Sequence, residues 1–336
     1  MVVTPTVASR IVPALAETLR LDSADIPRLQ PSAAQRLVPA VLFMVGSLLL
    51  VLLVNALARE LTARYPVGEV LFCRFLGAAV LLAILFRGDV AGALRTPHLK
   101  LHLVRVALGV GSTLALYMSL QHLPFSDLMA IAYASPLVVA MLSWSALGER
   151  VGLRRVGFIL AGFGGILIVA FPGRLEIWSI GALIMALLNA GALMTTRSLG
   201  RKENARTIAG CFAVFGTVAT APMLFFGCKM PDAGDVLLFA ALGGAAGLAI
   251  HLHAQAFRRA QAAVLAPIDY FAVVISPAFA WLFWTEVPSS SMLIGGAIII
   301  AAGMLQLREA HREALHDVFS RLSVRSTSEG TLSKRG

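Results

Sequence analysis

The chain has 336 residues, of which 58% are hydrophobic and only 14% charged. That is too apolar for a water-soluble globule, so a bilayer is its main solvent and each spanning backbone must bond within its own helix. The formal net charge of +10 does not point to nucleic acid, because the cations are dispersed over loops and tails with no basic groove or interleaved aromatics.

Residues 1–36 carry Pro5, Pro13, Pro27 and Pro31 and little periodicity, and read as a disordered cytoplasmic tail. No cleavable leader is visible, since the first apolar run starts late and is too long for a signal h-region. Ten apolar stretches follow, at 37–58, 66–86, 101–121, 126–146, 153–171, 177–196, 207–227, 235–257, 261–284 and 291–307. Each approaches the ~20 residues that a helix needs to cross ~30 Å of hydrocarbon. The fold class is therefore an all-α polytopic membrane protein. Residues 308–336 begin as a continuation of the last helix and end in a polar cytoplasmic tail that can lie along an anionic leaflet or stay solvated.

With the amino terminus inside, the loops between spans carry twelve cations on the inner side and four on the outer, Arg59, Arg64, Arg174 and Lys229. This asymmetry predicts cytoplasmic termini. The lone cysteines Cys73, Cys211 and Cys228 have no CxxC spacing and read as small apolar fillers.

The chain repeats itself. Shifted by 137 positions, Leu128–Glu149 overlays Leu265–Glu286, so that Tyr133 meets Tyr270, Trp144 meets Trp281 and Glu149 meets Glu286. Equivalent points lie five spans apart, and an odd number reverses orientation. The charges independently put Glu149 inside and Glu286 outside. Two inverted five-helix repeats, 37–172 and 173–307, satisfy both observations, and such repeats underlie alternating access.

The string Leu147-Gly148-Glu149-Arg150, with Gly157 and Gly162-Phe163-Gly164-Gly165 after it, resembles EamA-type proteins of the drug/metabolite transporter superfamily. So do Ala266-Pro267-Ile268-Asp269-Tyr270 leading to Thr285-Glu286, and the turn Leu123-Pro124-Phe125-Ser126-Asp127. The second copy departs in having Thr285 where the first has Gly148, and Val287-Pro288 where the first has Arg150-Val151. The resemblance implies a ten-helix inner-membrane carrier whose halves enclose a cavity, with spans five and ten at the periphery. It further implies an amino-acid-like, nucleotide-like or vitamin-like cargo, moved in either direction.

Few ionisable groups fall inside spans, where each costs on the order of 2.5–3.5 kcal/mol on insertion scales. Arg74 lies roughly 12 Å into span two and can hold a carboxylate or phosphate through its fork of donors; snorkelling or a helix–helix salt bridge is the alternative. Asp269 lies about as deep in span nine and can bind an ammonium group or take up a coupling proton; a hydrogen bond to a neighbouring helix competes. Together they suggest a zwitterionic or mixed-charge metabolite. Arg105, near the inner end of span three, reads as snorkelling.

Thr113, Tyr117 and Gln121 recur every four residues on span three, a polar edge suited to a cavity or to interhelical bonds. Asn189 on span six, His251 and Gln255 on span eight, and the matched pair Tyr133 and Tyr270 are further cavity candidates. His253 points away from His251, since two residues turn a helix by ~200°, so no metal site is expected. Glu149 and Glu286 read as turn groups that cap or pair with Arg150 or Arg154. With no HExxH, GxSxG or phosphate-binding loop, an enzyme or an ATP-driven pump is disfavoured. The sequence indicates a secondary carrier without cofactor. A channel or membrane scaffold, and a homodimer, stay open.

Overall fold

A computed structural model describes residues 33–86, 92, 94–139, 141, 153–171, 177–259, 262–309 and 312. Its helices are α1 Ala33–Thr62, α2 Val67–Leu85, α3 Leu99–Leu120 and α4 Phe125–Val139. Then come α5 Leu153–Ala170, α6 Ile177–Gly200 and α7 Ala205–Thr220, which runs on as a 3-10 turn Ala221–Phe226. The last three are α8 Ala233–Phe257, α9 in two pieces (Ala262–Asp269 and Phe271–Trp284), and α10 Ser290–Glu309. By length and composition eight are able to cross a membrane, while α4 and α5 are shorter as described. The predicted span 126–146 runs past Val139 into residues outside the described set.

Local chemistry sets several ends. Pro66 and Pro124 precede α2 and α4 in extended conformation, as suits a residue that lacks a donor and cannot continue a preceding helix. Both α4 and α9 are interrupted near mid-span. Ala134 and Tyr270 break the helical pattern at positions that the 137-residue shift brings within one residue of each other. Such half-helices are where carriers expose backbone and helix ends to cargo.

α1 packs on α8, and α3 packs on α6; α2 packs on α8, and α3 on α7. Each pair becomes the other when helices are exchanged five places along the chain. The α2–α7 and α4–α9 contacts map onto themselves under the same exchange. This is a pseudo-two-fold arrangement, and it yields two interleaved bundles. One comprises α1, α2 and α8, on which the first piece of α9 leans; the other comprises α3, α6 and α7, on which α4 leans. Helices α5 and α10 meet through Gly165 and Gly295, where a Cβ on either glycine would sit within 2.9 Å of the other's carbonyl oxygen. Small residues give such close approach in lipid.

The halves are inverted. α3 starts beside Glu203, just past α6, through His102, and ends beside Thr62, the last residue of α1, through Gln121. The carboxyl ends of α1 and α6 therefore lie at opposite ends of α3. We call these the Glu286 face and the Glu203 face. Large apolar side chains such as Leu42, Ile84 and Leu282 point outward from the helices, as hydrocarbon requires.

Candidate substrate site and its gates

Arg74, about two turns into α2, is half-buried and pairs with no carboxylate among the described residues. Its Nη1 is buried without a hydrogen-bond acceptor. The guanidinium sits 5.6 Å from the ring centre of Tyr117 and 5.7 Å from that of Phe75. Tyr117 is wholly buried and its hydroxyl is likewise unbonded, as is the carbonyl oxygen of buried Asn55 on α1. An unbonded buried polar group costs ~1–3 kcal/mol, more when charged. Carrying several in one layer of the membrane is a cost that suits groups meant for a ligand.

Asp269 ends the first piece of α9, half-exposed, with no hydrogen bond or ion pair to a described residue. It interacts electrostatically with the hydroxyls of Tyr133 and Tyr270. Ala132 occupies the matched position of the first repeat, so this carboxylate breaks the pseudosymmetry. Tyr270 is buried with its ring lodged against Gly303 of α10, and the hydroxyls of both tyrosines lack partners.

The remaining candidates lie elsewhere. Thr113 donates to Gly109 O at 2.8 Å within its own helix. Gln121 is at the Glu286 face, donating to Thr62 O at 2.6 Å. Asn189 donates to Ser135 Oγ at 2.9 Å and ties α6 to the break in α4. His251 and Gln255 contact each other at 3.2 Å near the Glu203 face, where Arg259 donates to Gln255 Oε1 at 2.7 Å. Arg105 does not snorkel. It donates to Thr196 Oγ1 at 2.7 Å and lies 4.2 Å over Phe212, because those groups satisfy it without leaving the helix layer. Cys228 is exposed and so is no core filler.

Two latches clamp loops onto helix starts. At the Glu286 face Arg64 and Tyr65, between α1 and α2, both donate to Asp235 of α8 at 2.8 Å. Tyr65's phenol titrates above its ordinary range because it donates to Asp235 and is shielded from water. At the Glu203 face the roles invert. Glu203, between α6 and α7, accepts from Thr96 and meets buried His102 of α3 at 2.7 Å. Burial pushes the Glu203 carboxyl up, but the bonds from Thr96 and His102 win and hold it below the usual range.

Sequence reasoning missed Arg59, which it counted among loop charges. Arg59 grips Glu286 with both arms, at 3.0 and 2.5 Å. Glu286 thus caps no turn of its own. Its match Glu149, with Arg150, lies outside the described residues.

A sequence profile of the EamA-like transporter family matches residues 38–171 and again 176–307. The chain belongs to the EamA-like transporter family. This EamA-like protein is thus a multi-pass membrane transporter and not an enzyme. It is similar to a pseudopaline exporter, CntI, of Pseudomonas aeruginosa (27% identical, covering 74% of this chain and 88% of the relative). It is also similar to a riboflavin transporter of Brucella anthropi (29%; 73% and 89%) and to an S-adenosylmethionine uptake transporter of Rickettsia bellii (25%; 74% and 86%). A chain solved by crystallography shares its fold, with a TM-score of 0.59 at 20% identity, over 81% of this chain and 98% of that one.

Proposed function

We propose that this transporter is a secondary carrier of a small organic metabolite bearing an anionic group, held by Arg74 and the Tyr117 hydroxyl. Asp269, with Tyr133 beside it, takes an ammonium group of the cargo or a coupling proton. Thr113, Gln121, Asn189, Tyr270, His251 and Gln255 shape the path. The repeats span 37–172 and 173–307, and 1–36 and 308–336 are tails. The observation that carries the reading is the half-buried guanidinium of Arg74, whose Nη1 has no acceptor, set beside the buried phenol of Tyr117. Relatives named for riboflavin, S-adenosylmethionine and pseudopaline support a metabolite-sized cargo moved in or out.

The Glu203 face is cytoplasmic, since Lys100, Arg197, Arg201, Lys202, Arg206, Arg258 and Arg259 gather there, and the membrane is the cell's inner one. One charge moved through ~100 mV supplies ~2.3 kcal/mol, enough for a roughly fifty-fold gradient. The test is counterflow in proteoliposomes over a panel of vitamins, amino acids and nucleotide-like metabolites. Saturable exchange lost in Arg74→Gln supports the carrier; flux linear in concentration and unchanged in that variant contradicts it.

A further inference from the structure

The hydrogen bonds that cross between the two bundles are confined to one half of the membrane. Among the described residues, apart from those of Lys229 in the loop that joins α7 to α8, they link four residue pairs. Asn55 of α1 donates to Met129 Sδ of α4 at 3.5 Å, and Gln121 of α3 donates to Thr62 O of α1 at 2.6 Å. The amide of Phe125, which opens α4, donates to Glu286 Oε2 at 3.1 Å, and Ser289 Oγ bonds Asp127 of α4 at 3.2 Å. All lie toward the Glu286 face. Every described hydrogen bond toward the Glu203 face, Arg105–Thr196 and His102–Glu203 included, joins members of one bundle, and the contact that crosses there is Arg206 of α7 lying 5.2 Å over the Phe86 ring at the end of α2.

Two of the four involve a carboxylate, Ser289 with Asp127 and the Phe125 amide with Glu286, and only Glu286 is also held by an arginine. Its carboxylate sits at the amino end of α4, where the helix dipole favours an anion, and charge-assisted bonds are roughly twice as strong as neutral ones. It is also fixed in place. Arg59 holds both oxygens, Arg59 Cζ lies 4.4 Å over the Trp284 ring, and Trp284 Nε1 donates to Glu60 at 2.5 Å. The rings of Phe125 and Trp284 meet at 5.1 Å. Arg59 and Glu60 of α1 thus anchor Glu286 and Trp284, at the end of the second piece of α9, which also packs along α4, and from that anchor Glu286 grips the first amide of α4.

We infer that Glu286, mounted on Arg59, is the gate residue of this face: its bond to the Phe125 amide holds the Glu286 face shut, and breaking it is the step that opens the carrier to that side. This rests on the alternating-access reading but not on any cargo, and its test reads conformation alone. The full chain, with Cys73, Cys211 and Cys228 replaced, receives spin labels at Ala63→Cys and His122→Cys, one on each bundle at the Glu286 face, and is placed in lipid nanodiscs. In Glu286→Ala the inter-label distance population shifts to values longer by about 5 Å or more, the scale of a one-turn displacement. Arg64→Gln, which breaks a neighbouring ion pair within one bundle, leaves the distances as in the parent. If Glu286→Ala does not accumulate folded, Glu286→Gln, which keeps the shape but not the charge, is read the same way. Superimposable distances in the Glu286 variant, or an equal shift in Arg64→Gln, overturn the assignment.

Discussion

Gly77 of α2 and Gly243 of α8 touch backbone to backbone, so a Cβ built on either would lie 2.6 Å from the other's Cα. Neither helix can retreat alone, because α8 is also packed along α1. Gly77→Leu or Gly243→Leu is expected to lower stability by ~1–3 kcal/mol or more, the usual cost of overpacking. Gly244→Ala, with nothing within 4 Å of the added carbon, does not lower it. Thermal melts of detergent-purified protein check the contrast.

Thr285 ends α9 with φ at 53°, the one positive-φ residue other than glycine among those described. A β-branched side chain in the left-handed region is strained by roughly 1–2 kcal/mol, and glycine is the residue that adopts it freely. Thr285→Gly is expected to stabilise by up to ~1 kcal/mol, after the added chain entropy of glycine is deducted. The measurement is the melting midpoint in matched detergent.

Arg74 is a case where stability and function should part. Removing its guanidinium leaves no described carboxylate without its partner, so Arg74→Gln melts no lower than the parent. Transport falls on the order of tenfold or more, the equivalent of ~1.4 kcal/mol of lost binding. Arg74→Lys also falls short, because an ammonium lacks the planar fork. Initial uptake rates and melts on the same preparations decide it.

The Glu203 carboxyl is held below its ordinary range in the folded chain by Thr96 and His102, against the opposing effect of burial. A depressed folded value means that its stabilisation is complete above the unfolded value of ~4.3 and is lost as pH falls through the folded one. The melting temperature is therefore expected to drop on acidification below about pH 4, and Glu203→Gln flattens that part of the curve. A pH series of melts on both proteins is the check.

Helix positions were legible because hydropathy over some twenty residues is a strong signal. The ends of span one and span six nonetheless run to Thr62 and Gly200, since polar residues such as Arg59 and Arg197 remain helical where they find partners or headgroups. The inversion was legible because Tyr133 and Tyr270 align in sequence while the charges alternate. The gate was not. Nothing local ties Glu286 to Arg59, 227 residues away, or to the Phe125 amide; a glutamate after a helix looks like a cap. The same limit applies to Gln121 and Thr113, which recur on one helix but whose partners, Thr62 O and Gly109 O, depend on where each sits along α3. Asn55, a lone amide in an apolar span, was a readable signal that span-by-span charge counting passes over.

Two homologous bundles that face opposite ways across one membrane put Lys229 and Lys202 on opposite sides of it. Single cysteines placed at Lys229 and at Lys202, in a chain without its own three, are labelled in intact cells with a membrane-impermeant maleimide. Lys229→Cys is expected to react from outside and Lys202→Cys only after the membrane is opened. Labelling of both positions from the same side in intact cells contradicts it.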